Sequence, residues 1–588
     1  MRIAKESHTP PIPREMKMKR TRLKTASAIC CISLALSFGC ATPAFATITG
    51  DQNPLTEEEI ANAIAAGQVA TVDTEDEQAS TYASSFFECY SGADRFEVSA
   101  MEAKAAYPSC SSAIIVGENG WADALSAAGL AGIRDCPILL TQTNVIPSVI
   151  QNALKSLKVS KVTIVGGPAT VSPGVEQALR NMGINVERIG GADRYEVQTN
   201  IYNAAAGSWT SDTIFISSGV RFPDALSISP ASFKAHAPIF LANDGGSLNT
   251  VQKQFVSSML AQGKTNRAVI TGGVHSVSSE TESYLKSLKK SSGGNLTVER
   301  LGGADRYEAS ANIADWAVRN GILSWNGTAL AMSSLPYDAL CGSTLQGKRG
   351  SALLIVDGYA GNNQHAYNRM KWNKGSFSSI RIFGGEASIP TTVRMDVADI
   401  FGIPYFHIPG FKVYIDAGHG FNDSNNGIYD PGAVGNGYQE ATLTAELANK
   451  VSNILRSQYG VQTFVNDDGG WYKLRHAEAQ HLGCDMIVSI HFNSYMGNGT
   501  ETLIHSRNAH PRSWGLQDAI HPLLVQGTGL RDRGQKTQQV AILSGPLPAT
   551  LLEVAFIDNS SDMKTYQSRK DIVASKIAEG IARYVGAA

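Results

Sequence analysis

The chain has 588 residues with 50 Lys and Arg against 52 Asp and Glu, 43% hydrophobic residues, 8% aromatic residues and 56 glycines. That length exceeds a single hydrophobic core and implies about four domains. The composition excludes general disorder, and a net charge of −2 carries none of the basic excess of a nucleic-acid binder, so no nucleic-acid partner is expected.

The first element is an export signal over residues 1–46. Lys17, Lys19, Arg20, Arg22 and Lys24 form a basic region, residues 25–39 an apolar run, and Ala44-Phe45-Ala46 a small-x-small cleavage site. The apolar run is shorter than a membrane span needs, so no permanent membrane anchor is expected once the signal is cleaved. Five cysteines follow residue 46, among them Cys89 and Cys110. An odd set argues against a disulfide framework and leaves a Cys89–Cys110 pair open. Residues 47–90 read as an acidic spacer, with neither Lys nor Arg between Asp51 and Asp94. Within it, Thr56 and Glu59 are spaced as a capping box for a short helix over 57–66.

An internal repeat of about 100 residues comes next. Gly92-Ala93-Asp94-Arg95-Phe96-Glu97 returns at Gly191 and Gly303 with Tyr for Phe. Asp-Ala-Leu stands at Asp123, Asp224 and Asp338, and a Gly-Gly pair at Gly166, Gly272 and Gly384. The copies span 91–187, 188–299 and 300–405. Within them, short apolar runs such as Ala113 to Val116, Pro137 to Leu140 and Val162 to Val165 alternate with helical stretches, the pattern of a parallel α/β sheet. The Asp of Asp-Ala-Leu reads as a helix N-cap, and the repeated Asp-Arg as a local ion pair. The Gly-Gly turns lack both G-x-G-x-x-G and the P-loop pattern, which disfavours nucleotide binding.

Gly-Ala-Asp-Arg-Tyr, Asp-Ala-Leu-Ser, Pro-Ile-Leu-Leu and Val-Gly-Gly together resemble the cell-wall-binding repeat type 2 modules of Gram-positive surface proteins, over about Ser91 to Pro404. The resemblance implies three Rossmann-like lobes about a pseudo-threefold axis, which hold an anionic wall polymer non-covalently. In the third copy Lys348, Arg349, Arg369, Lys371, Lys374 and Arg381 face only Asp338 and Asp357 in number. That local excess is a candidate polymer-binding face, or an ordinary solvated surface.

After Pro404 the repeat stops, and residues 411–588 form a separate α/β domain with a central twisted sheet. Seven of the twelve histidines fall here. His419 ends the strand Val413-Tyr414-Ile415, where an α/β fold places its site, and Met486 to Ile490 delivers His491 in the same way. Glu440 opens an amphipathic helix. Glu553 is a lone carboxylate inside the apolar strand Leu551 to Phe556 and needs a cation, a donor or a cleft. Two histidines, one carboxylate and an open position make a catalytic metal site of the His-His-Glu type, with a further Glu as base. His476, His481, His505, His510 and His521 read as surface or structural residues.

Asp416-Ala417-Gly418-His419-Gly420, Asp430-Pro431-Gly432-Ala433 leading to Glu440, Ser489 to Asn493, Arg531 to Gly534, and Leu552 to Asn559 resemble the zinc-dependent N-acetylmuramoyl-L-alanine amidases of type 3. The resemblance covers about Lys412 to Val585. It implies one zinc ion held by His419, Glu440 and His491, with Glu553 as catalytic acid/base and Asn493, Arg475 and Arg533 as substrate contacts. Three departures stand out: Ala417 where Pro is usual, a short insertion from Asn422 to Tyr429, and His481 where Asn is frequent. The expected protein is thus a secreted, wall-held peptidoglycan hydrolase of a Gram-positive bacterium. A wall-anchored structural protein with a silent hydrolase domain and a zinc peptidase acting within the stem peptide are the alternatives.

Overall fold

A computed structural model describes residues 55–66 and 86–588, except 359, 386, 423 and 424. The signal segment and most of the acidic spacer lie outside the described residues. The capping box is formed: Glu59 N–H donates to Thr56 Oγ1 and Thr56 N–H to Glu59 Oε2, ahead of the helix Glu57–Ala65.

Each repeat contributes to one four-stranded parallel sheet. The first combines β2 (Ser112–Gly117), β3 (Ile138–Thr141), β4 (Lys161–Val165) and β5 (Asn185–Ile189) in the order β3-β2-β4-β5. The second repeats that order as β7-β6-β8-β9, with β6 (Thr213–Ser218), β7 (Ile239–Ala242), β8 (Arg267–Thr271) and β9 (Thr297–Leu301). In the third, β10 (Ser324–Met332), β11 (Ser351–Val356) and β12 (Ile380–Phe383) lack a fourth strand of their own. β1 (Phe87–Tyr90) supplies it from the far end of the chain, pairing in parallel with β12 from Phe87↔Ile380 to Tyr90↔Phe383. Glu88 seals the join through an ion pair of 2.9 Å with Arg381. The spacer expected over 47–90 therefore ends before residue 87. Four residues are too short a run to signal a strand by themselves, because their partner is distant in sequence.

Equivalent helices that carry or follow Asp-Ala-Leu, Ala128–Arg134, Phe222–Ala235 and Gly342–Arg349, pack on one another. Small residues let them approach: a Cβ on Gly132 or Gly347 would lie 2.0 or 2.5 Å from atoms of Phe233.

The N-cap role expected of the Asp-Ala-Leu aspartate belongs instead to the aspartate of Asp-Arg. Asp94, Asp193 and Asp305 are the N-caps, each accepting from the two backbone N–H groups that follow its Arg. Glu97, Glu196 and Glu308 reach back to Ala93, Ala192 and Ala304 N–H, which explains why the motif ends in Glu. Two of the arginines reach neighbouring lobes instead, Arg194 lying over Trp121 of the first lobe and Arg95 over Tyr337 of the third. Asp123, Asp224 and Asp338 sit inside the first helical turn. Asp224 accepts from Ser276 Oγ at 2.8 Å, beside the left-handed Gly272.

The C-terminal sheet runs β18-β13-β19-β22-β20-β21. Its strands are β13 (Lys412–Ala417), β18 (Gln462–Asn466), β19 (Met486–Asn493), β20 (Thr500–His505), β21 (Asp532–Gln538) and β22 (Ala549–Phe556). Neighbours are parallel except β20 and β22. Two short hairpins, β14 (Gly420–Phe421) with β15 (Tyr429–Asp430) and β16 (Val434–Gly435) with β17 (Tyr438–Gln439), separate β13 from the helix Glu440–Gln458. This domain docks on the third lobe through Arg512, which pairs with Asp396 and Asp399 at 2.6 Å each. None of the five cysteines after residue 46, Cys89 and Cys110 included, is in a disulfide.

Candidate metal and catalytic site

His419 follows the end of β13 in a left-handed conformation, φ 69°. A non-glycine residue there is strained and is held by its surroundings. Asp430, brought across by the β14–β15 hairpin, accepts from His419 Nδ1 at 2.9 Å, which leaves Nε2 as the ligand atom. His419 Nε2 lies 3.2 Å from Glu440 Oε2, and His491 Nδ1 lies 3.0 Å from Glu440 Oε1. Glu440 is fixed further by the backbone N–H groups of Ala433 (2.8 Å) and Phe492 (2.9 Å). A Cβ on Gly418 would stand 2.2 Å from the His491 ring, so glycine there makes room for the ligand.

Among the described residues these three bring ligand atoms within 4.8 Å of one another. Two imidazoles and a carboxylate converging in this way suit a divalent cation. Burial by itself raises the Glu440 carboxyl, but the hydrogen bonds and charges of His419 and His491 hold it well below the usual carboxylate range.

Glu553 stands directly across the sheet from His491 on β19 and from Glu501 on β20, so the three side chains share one face. Glu553 Oε2 is buried without a hydrogen-bond partner among the described residues. Burial pushes its carboxyl up to about 7, with Glu440 and Glu501 raising it and His491 lowering it. An orphaned carboxyl oxygen beside the ligand cluster is the second sign that this cleft receives a metal and a reacting group.

The expected substrate contacts divide. Arg475 is buried, its Nε 2.7 Å from Asp416 Oδ1 and its Nη1 donating to Gly469 O. It therefore braces the end of β13. Asn493 and Arg533 both hold Glu501, at 3.2 and 2.6 Å, and Lys536 joins them. Sequence reading placed Asp430 in a motif without giving it a role, and passed over Glu501. A carboxylate eleven residues after His419 carries no local signal, and Glu501 gains meaning only from its register with Glu553. Of the other histidines, His476 donates from Nε2 to Ile542 O and His521 sits between Thr502 and Asp532, while His505 and His510 accept backbone N–H groups.

The cationic face expected on the third repeat is largely consumed in seams. Lys348 pairs with Asp135 at 2.7 Å, Arg349 donates to Ala105 O, Arg369 pairs with Asp315, and Arg381 is bound to Glu88. Lys371 and Lys374 are exposed.

Comparison with known proteins agrees with this division of the chain. The profile described as N-acetylmuramoyl-L-alanine amidase matches residues 413–583, and that of cell wall binding domain 2 matches 90–176, 188–282 and 300–394. The chain is 28% identical over 502 residues to the N-acetylmuramoyl-L-alanine amidase LytC of Bacillus subtilis, covering 84% of this chain and 93% of that one. It is 32% identical over 179 residues to the N-acetylmuramoyl-L-alanine amidase CwlM of Bacillus licheniformis, covering 29% of this chain and 68% of that protein. Among solved structures, Cwp6 from Clostridium difficile is similar at 25% identity and a TM-score of 0.46, covering 88% of this chain and 82% of that one. With its ligand cluster inside the matched region and three wall-binding modules ahead of it, the chain belongs to the N-acetylmuramoyl-L-alanine amidase family.

Proposed function

We propose that this protein is a secreted, wall-held hydrolase that cuts the amide between N-acetylmuramic acid and L-alanine, with zinc held by His419, Glu440 and His491. Zinc, when bound, supplies a Lewis acid for the amide carbonyl and acidifies water. Glu553 is the acid/base: it takes the proton of the attacking water and returns it to the leaving amine of L-alanine. A carboxyl near 7 suits both transfers at neutral pH. Asp430 keeps His419 in one tautomer and orientation. Glu501, itself neutralised by Arg533 and Lys536, raises the proton affinity of Glu553. The three repeat lobes hold an anionic wall polymer and so keep the catalytic domain at its substrate.

The observation that carries this reading is the row His491, Glu553 beside the converged His419–Glu440–His491 cluster. Glu553→Gln should lower release of soluble fragments from purified wall by about 10²–10⁴-fold while zinc content stays at one per chain. Digested wall should show new N-terminal L-alanine. Cleavage between stem residues would make the protein a peptidase instead.

A further inference from the structure

Nearly half of the large hydrophobic side chains exposed among the described residues gather in the three segments that carry the metal ligands. Phe421 (58% exposed) and Tyr429 (47%) are cross-strand partners in the hairpin whose next pair, Gly420 and Asp430, adjoins His419. Ile428 (65%) belongs to the same hairpin. Tyr438 precedes Glu440 by two residues, and Tyr495 (45%) and Met496 (94%) follow His491 by four and five.

The two walls are tied to different sides of the site. The Phe421 hairpin is bonded to residues 468–470, beyond β18. The turn carrying Tyr438 and the Tyr495–Met496 turn are both bonded to residues 557–558, beyond β22, through Asn436 and Asp558. Tyr495 and Met496 keep their side chains outward at φ 87° and 56°. Bulky residues rarely adopt that conformation, and strain of this kind is concentrated at binding sites. An apolar patch around a cleft marks a binding surface.

Charge selects the occupant. From Gly420 to Gln439 and from Ser494 to Gly499 there is no Lys or Arg, while Asn, Gly, Ser and Tyr abound. The cation nearest the second segment, Arg533, donates to Asn498 O and is paired with Glu501, so these segments favour an uncharged occupant over a carboxylate-bearing peptide, an anionic polymer or an anionic membrane. They suit uncharged sugar rings, whose C–H faces stack on aromatic side chains and whose hydroxyl and acetamido groups meet neutral amides.

We infer that the Phe421–Tyr429 hairpin and the Tyr438 and Tyr495–Met496 turns form subsites for the neutral N-acetylhexosamine strand on either side of the residue whose amide is cut. The inference rests on the amidase reading of the proposed function. Recognition then extends along the glycan.

The test compares two substrates with the same stem peptide, one on a single muramoyl residue and one on a strand of at least four sugars. The wild type should favour the longer substrate in kcat/KM by about tenfold, the worth of two aromatic–sugar contacts. In a Tyr429→Ser/Tyr438→Ser variant of the full chain that ratio should collapse toward one. A ratio unchanged in the variant overturns the inference, as does a wild type indifferent to strand length. Direct titration of the Glu553→Gln protein with tetra-N-acetylchitotetraose should give saturable binding that the rim substitutions weaken; no binding counts against the inference. Concentration-dependent dimers abolished by the rim substitutions would assign the patch to self-association instead. If the wild type cuts neither substrate, the amidase reading itself fails, which is a different result from loss of length preference.

Discussion

Glu102 offers a sharp test of how the three lobes are held together. It lies on the helix Arg95–Ala106 at 1% exposure, and neither carboxyl oxygen has a hydrogen-bond partner among the described residues. The equivalent positions of the other two copies, eight residues after the capping Asp, are Ile201 and Ile313, both buried. The neighbour across the seam is Gly342 of the third lobe, where a Cβ would stand 2.6 Å from Glu102 Oε1. Burial, reinforced by Asp338 and offset only in part by the Gly342 backbone, raises the carboxyl well above its ordinary 4.5.

Below 4.5 the group is protonated in both folded and unfolded chains and contributes no pH dependence. Above it, the unfolded chain releases the proton while the folded one retains it. Stability therefore falls by about 1.4 kcal/mol per pH unit until the folded carboxyl ionises. Urea unfolding of wild type and Glu102→Gln, followed by tryptophan fluorescence between about pH 5 and 7, should give midpoints that diverge with rising pH, the wild type losing ground. Glu102→Ile, which installs the residue of the other copies, should match or exceed wild type at neutral pH. Parallel pH profiles for wild type and Glu102→Gln would refute the argument.

A chain starting at Ser91 loses β1, leaves Arg381 buried without Glu88, and opens the edge of β12. It should lose about 3–5 kcal/mol in the third lobe and aggregate on heating, as light scattering would record against a chain that keeps Phe87–Tyr90. Arg512→Ala should weaken docking of the catalytic domain by about 2 kcal/mol, less than a fully buried pair because Asp399 is half exposed. Faster proteolytic cleavage between residues 402 and 411 would report it. Burial lowers His476 to about 4, so below about 6.5 the unfolded chain takes up a proton that the folded one refuses. The catalytic domain should lose stability from there down to about 4, and His476→Asn should flatten that slope in thermal melts. Chelation should remove both zinc and activity, and His419→Ala should lower zinc content by direct metal analysis.

The sequence made the triplication, the strand-ending His419 and His491, and the isolated carboxylate Glu553 legible, because each rests on local periodicity or on a charge in an apolar run. What stayed hidden depends on register or on distant partners. β1 is a strand only because β12 has an unpaired edge, and Glu501 matters only because β20 sets it opposite Glu553. The partners of Arg475 and of several third-repeat cations were hidden in the same way. A count of charges along the chain does not reveal that Asp416, Asp135, Asp315 and Glu88 already engage them. The capping boxes show that even a correct motif can have its roles misassigned when two aspartates recur in each copy.

The join between β1 and β12 also sets an order of events. Glu88 and Arg381 are 293 positions apart, so the first strand of the anchor cannot find its place until the last lobe exists. The first two sheets draw only on strands within about 80 residues of one another and can form as they emerge. The third waits for a loop closure spanning the whole anchor, one of the slowest kinds of contact to make. Until then β12 presents an open edge and Arg381 an unpaired charge. Completion of the three-lobed unit is thus coupled to arrival of the third lobe, and the short strand β1 works as its clasp.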